Sequence, residues 1–225
     1  MNAVLSIQDS PKRWDAVVLI HGLFATKRSM SKAHSKLESH GYLPINFSYS
    51  SCFRKLDSHL MQLLPLLRRL DTDRNIRSIN FLAHSYGGIL MRYALQSEIF
   101  SKLQRAVMLA PPNAGTPLAK YSVGVFDRLF PAVRQLADAP EALPKQLSAP
   151  NNIEVGVIAA ATDMIVGRDS THLPNQSDHC VMPTSHFELP RHKATLDRCL
   201  SFLAEGRFQP NPAGVFKPTS VKCAA

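Results

Sequence analysis

Short unbroken apolar runs alternate along the chain with longer stretches in which apolar side chains recur every three or four positions. The first run, Ala16 to Ile20, ends at His21 and Gly22. An unbroken run of this kind suits a strand buried on both faces. Ser29 to His40 then reads as a helix closed by Gly41. Tyr42 to Tyr49 is the next expected strand. Leu56 to Leu70 carries leucine at helical spacing, with Pro65 implying a kink or a late start. Ser78 to Ala83 is a strand leading into a strong helical pattern, with Ile89, Leu90, Tyr93 and Ala94 on one buried stripe. Arg105 to Leu109, Ile153 to Ala161 and a short piece from His179 to Met182 are further strands. A final amphipathic helix covers Arg191 to Leu203, with Leu196, Leu200 and Leu203 facing inward. Strand–helix alternation of this type predicts an α/β fold, a mostly parallel central sheet with helices on both faces.

Two stretches leave this pattern. Residues 113–152 contain Pro117, Pro131, Pro140, Pro144 and Pro150, and read as a cap-like or lid-like excursion over the top of the sheet. From Gln209 onward, Pro210, Pro212, Gly214 and Pro218 predict an irregular tail over 209–225. The expected organisation is one domain over residues 1–208 followed by that tail.

The elbow of the pattern carries chemistry. Ala83-His84-Ser85-Tyr86-Gly87 is the G-x-S-x-G arrangement with Ala in first place. It stands where a strand gives way to a helix, the context in which such a serine is held on a sharp turn with its hydroxyl exposed. Small residues two before and two after keep that turn free of clashes. The helix start aims backbone N–H groups at the reacting oxygen. Ser85 is therefore the candidate nucleophile. His21-Gly22-Leu23-Phe24 follows the first strand, and its turn offers the N–H of Leu23 to an oxyanion, with the N–H of Tyr86 as its partner. His21 itself reads as a structural imidazole.

The partners of such a serine follow it in the order acid, then base. Asp163 stands at the end of a late strand, with Asp169 as its rival. His186 lies in a loop before the final helix and is the candidate base, ahead of His172, His179 and His192. Apolar residues of the excursion, including Phe126 and Phe130, together with Phe24 and the side chain of Tyr86, are expected to line an acyl pocket.

These segments resemble the bacterial esterase/lipase branch of the α/β-hydrolase superfamily. Val17 to Leu23 is similar to its first core strand and oxyanion loop, and Leu82 to Gly88 to its nucleophile elbow. Met108 to Asn113, with Gly115 and Thr116, is similar to its segment after the next strand, while Asp163 to Pro174 resembles its acid loop and Asp178 to His186 its final strand and histidine loop. Ala83 in place of Gly and Met164 after the acid are departures. The resemblance implies an α/β-hydrolase fold and cleavage of carboxylic esters through an acyl-enzyme on Ser85, with Asp163 and His186 completing the triad and no metal or organic cofactor. A transferase or thioesterase with the same triad, and a non-catalytic lipid- or partner-binding module, are the competing readings.

Composition adds limits. The net charge is +9, but the basic residues are scattered, so a nucleic-acid footprint is not expected. Contact with an anionic membrane surface is a secondary expectation. No run approaches the roughly 20 apolar residues of a membrane span. Residues 1–14 show no secretory signal, which predicts a cytoplasmic protein. Cys52, Cys180, Cys199 and Cys223 form no metal-like spacing, and reduced thiols are expected. Oligomeric state is left open, and the expected partner is a small ester or lipid.

Overall fold

The computed structural model describes residues 13–51, 54–116, 135–136 and 143–209. Cys52, Cys223, Phe126, Phe130 and the tail beyond Gln209 lie outside them. The strands are β1 (Trp14–Ile20), β2 (Leu43–Phe47), β3 (Ile76–His84), β4 (Leu103–Leu109), β5 (Glu154–Ala160) and β6 (Asp178–Met182). They form one sheet in the order β2-β1-β3-β4-β5-β6, with every neighbouring pair parallel. The helices are α1 (Ser31–Glu38, after a 3-10 turn over Lys27–Met30), α2 (Leu56–Thr72), α3 (Tyr86–Ser97), α4 (Leu143–Gln146), α5 (Arg168–Thr171) and α6 (Lys193–Glu205).

Alternation along each strand splits the core in two. Ala16, Val18 and Ile20 of β1 face one layer, with leucines of α2 and Ile89, Leu90 and Ala94 of α3. Val17 and Leu19 face the other, with Ala33 and Leu37 of α1 and Leu196, Leu200 and Leu203 of α6. The continuous apolar runs thus serve a sheet covered on both sides. Each fully buried large aliphatic side chain contributes about 1.5–3 kcal/mol.

Pro65 does not delay α2, which runs from Leu56 to Thr72. Its ring lies on the exposed side, where solvent can satisfy the Met61 carbonyl that loses its helical donor. α6 begins at Lys193 rather than Arg191, because His192 is extended and serves as its N-cap. Among the described residues, Cys180 and Cys199 are unbridged. No helix there is long and apolar enough to cross a membrane.

The strand order fixes where a site forms. From β1 the chain crosses to β2 on one side, and from β3 it crosses to β4 on the other. The loops after β1 and β3 therefore diverge and leave a crevice at the carboxyl ends of the strands. Leu23 follows β1 and Ser85 follows β3.

Candidate active site

Ser85 joins β3 to α3 with φ 53° and ψ −122°, a conformation unusual for a residue with a side chain. The turn is held by its surroundings. The Ser85 N–H donates to Leu109 O at 2.8 Å, and the Gly88 N–H donates to Ser85 O at 2.9 Å. Gly87 explains how α3 starts so close to the sheet. A Cβ there would lie 2.5 Å from Ile20 O and 2.7 Å from His21 O, so only glycine fits. Gly22 is a tight but less severe case across the crevice, where a Cβ would lie 3.1 Å from His84 Nδ1 and 3.2 Å from the Ser85 Cβ.

Asp163 leaves the end of β5, and His186 lies beyond β6. His186 Nδ1 donates to Asp163 Oδ2 at 2.7 Å. Both side chains are almost fully buried. The other carboxylate oxygen of Asp163, Oδ1, accepts the N–H groups of Ile165 and Val166, each at 2.8 Å. Burial alone would raise the carboxyl pKa; the bond from His186 and the two backbone donors outweigh it and hold the group below its usual range. The acid loop is pinned in turn by the segment after β4. Asn113 Nδ2 donates to Thr171 O at 2.8 Å, the Ala114 N–H to Ser170 O at 3.0 Å, and Thr116 Oγ1 to Ile165 O. Arg92 of α3 reaches the same corner, bonding Asn113 Oδ1 at 3.1 Å and the Leu147 carbonyl. Burial lowers its pKa to about 10.

A cavity of about 320 Å³ opens at this point. Ser85 and His186 lie in its wall with Leu23 and Phe24. The sequence reading thus brings Ser85, His186, Leu23 and Phe24 to one cavity, with Asp163 bonded behind the histidine. Tyr86 departs from its expected place. Its backbone follows Ser85 at the first position of α3, but its side chain is fully buried and bonds His59 Nδ1 at 2.9 Å. It belongs to the core and does not line the cavity. Phe126 and Phe130 fall outside the described residues.

The rivals are engaged elsewhere. Asp169 is exposed in α5. His179 Nε2 meets Thr171 Oγ1 at 3.1 Å, and His172 stacks on its ring. His192 caps α6. His21 is buried beneath the crevice, its Nδ1 donating to Gly22 O at 2.9 Å and its ring stacked on Tyr49.

Sequence reasoning missed His84, Arg28, Phe187 and Arg191, all of which line the cavity. The His84 Nε2–H donates to the backbone carbonyl of His186 at 3.0 Å, so the residue before the serine holds the loop of the histidine. Burial, with the neighbouring His186 adding to it, drives the His84 pKa down to about 3 and keeps the ring neutral. Adjacency in the chain is the signal for His84 and Phe187. For the two arginines there is none, since basic residues are scattered throughout.

No family model and no curated sequence matches the chain. Solved structures do match its fold. The lipase BlEst2 of Bacillus licheniformis, in mature form, is similar with a TM-score of 0.67 and 15% identity, covering 86% of this chain and 93% of that one. The metagenomic carboxyl esterase MGS0156 gives 0.64 and 16%, covering 78% and 65%. Est1E from Butyrivibrio proteoclasticus gives 0.60 and 14%, covering 87% and 91%. At such identities the likeness is one of architecture. With its all-parallel sheet between two helical layers, the chain has the α/β-hydrolase fold, in the form found in bacterial lipases and esterases.

Proposed function

We propose that this protein hydrolyses carboxylic esters through an acyl-enzyme on Ser85, with His186 as general base and Asp163 as the acid that orients it. The observation that carries this reading is the 2.7 Å bond from His186 Nδ1 to Asp163 Oδ2, behind a cavity whose wall holds both His186 and Ser85. With its Nδ1 proton committed to the carboxylate, the imidazole presents a lone pair at Nε2.

Nε2 takes the Ser85 proton as Oγ attacks the carbonyl carbon. A C–O bond forms and the carbonyl electron pair moves onto oxygen, facing the N–H groups of Leu23 and Tyr86. Collapse of this adduct breaks the ester C–O bond, and the departing alcohol takes the proton from His186. Water then gives a proton to Nε2 and adds to the acyl carbon. Ser85 leaves with that proton and the acid is released. Asp163 stays ionised throughout, stabilising the imidazolium.

The test is a panel of 4-nitrophenyl esters of increasing acyl length, run on wild type and Ser85→Ala. Wild type is expected to turn over part of the panel, and Ser85→Ala to lose roughly 10⁴-fold or more in kcat with an unchanged circular dichroism spectrum. Substantial residual turnover in a folded Ser85→Ala protein refutes the assignment.

A further inference from the structure

Among the described residues, the wall of the Ser85 cavity carries two arginines and no carboxylate. Arg28 enters it from the 3-10 turn that follows the oxyanion loop, and Arg191 from the turn ahead of α6. Neither forms an ion pair with a described residue. Two acids close to His186 are already engaged: Asp163 is buried against it, and Glu188, two residues on, accepts the hydroxyls of Thr184 and Ser185. Arg28 and Arg191 line the cavity together with Phe24 and Phe187, and all four residues are solvent-exposed. Guanidinium groups match the planar or tetrahedral oxygens of carboxylate and phosphate in a forked geometry.

From these features we infer that the substrate is an ester bearing an anionic group, carboxylate or phosphate, beside its scissile bond, with Arg28 and Arg191 as the residues that select it. The inference rests on the reading of Ser85 and His186 given above.

Two matched pairs of chromogenic esters test it. In the first, the charge is on the acyl part: 4-nitrophenyl hemiglutarate against 4-nitrophenyl valerate. In the second, it is on the leaving part: the butyrate of 3-carboxy-4-nitrophenol against that of 4-nitrophenol. In at least one pair, kcat/KM for the anionic member is expected to exceed that of its neutral match by about tenfold, in low salt. The pair that shows the preference tells which side of the ester carries the charge. The Arg28→Gln/Arg191→Gln double variant is expected to lose that preference, whereas Arg28→Lys/Arg191→Lys retains part of it. Only the ratio within each protein is read, so a partial loss of folded protein cancels. Should the double variant fail to fold, wild type decides alone: raising salt from about 0.05 M to 0.5 M must collapse the ratio.

Absence of a preference in both pairs, or one that survives both glutamines or high salt, overturns the inference. Ser85→Ala is run beside them on the neutral esters. If it keeps its rate, the nucleophile reading fails. If it is inactive while wild type ignores charge, only the anionic-substrate inference fails.

Discussion

Asp163 divides its work between its two oxygens. Oδ2 faces His186 and Oδ1 is tied to the backbone of its own loop. Asparagine keeps the size but turns one oxygen into a donor. If its amide faces His186, it asks the imidazole to accept at Nδ1 and places the proton on Nε2, where the serine needs a lone pair. Asp163→Asn is therefore expected to fold and to lose about 10⁴-fold in kcat, the scale on which an acid that sets the tautomer matters. Ester turnover and thermal unfolding of the same sample check both halves. Asp169→Asn, in exposed α5, is the matched control and leaves the rate near that of wild type. At this scale the convergence of Ser85, Asp163 and His186 on one corner of the fold was legible, because in each case a residue type coincided with its place in a strand–loop pattern. It was misleading for Tyr86. The same residue offers a main-chain N–H to one environment and an aromatic ring to another, and sequence gives no sign that the ring turns toward His59. Arg28 and Arg191 were illegible because they come to one cavity only after the sheet is assembled.

Between elements, the decisive contact is the approach of α3 to β1. It rests on Gly87, whose missing side chain lets the helix begin against the carbonyls of Ile20 and His21. Gly87→Ala places a methyl group on backbone atoms that cannot rotate away. Its expected effect is a loss of about 1–3 kcal/mol of stability, together with reduced turnover as Ser85 and the Leu23 loop are forced apart. Urea midpoints and ester assays read these separately, and a protein of unchanged stability would contradict the close approach. Strands were the most readable elements, since unbroken apolar runs buried on both faces have few other uses. Ends were less so. The start of α6 moved because His192 is extended, and α2 passed Pro65 because the proline faces solvent. Both outcomes depend on which way a residue points in the finished fold.

For the molecule as a whole, four imidazoles are made harder to protonate. Burial is the largest cause for each of His21, His59, His84 and His179, and it lowers their affinity for protons. The unfolded chain binds protons at these groups once the pH falls below their ordinary value of 6.5, while the native state resists. Stability is then greatest above that value and is lost as pH falls, down to about 3 for His84. Each such group costs at most about 1.4 kcal/mol per pH unit within its window. Asp163, with its depressed pKa, adds a further loss at lower pH, below the ordinary aspartate value of 3.8. The urea midpoint is expected to drop between pH 7.5 and pH 5. A midpoint that holds steady across that interval would mean these rings are protonated as readily inside the fold as outside it.

The anchoring of the acid loop has a consequence for how such a protein can change over generations. Asn113 and Thr116 are fastened to the loop behind Asp163, and the chain is caught again at Leu147 by Arg92. Gln135 and Leu136 tie the intervening chain once more, accepting the N–H groups of Leu56 and Thr116. Substitutions at Asn113, Thr116 and Arg92 are therefore expected to be the ones inheritance tolerates least around this corner, because each would loosen two segments at once.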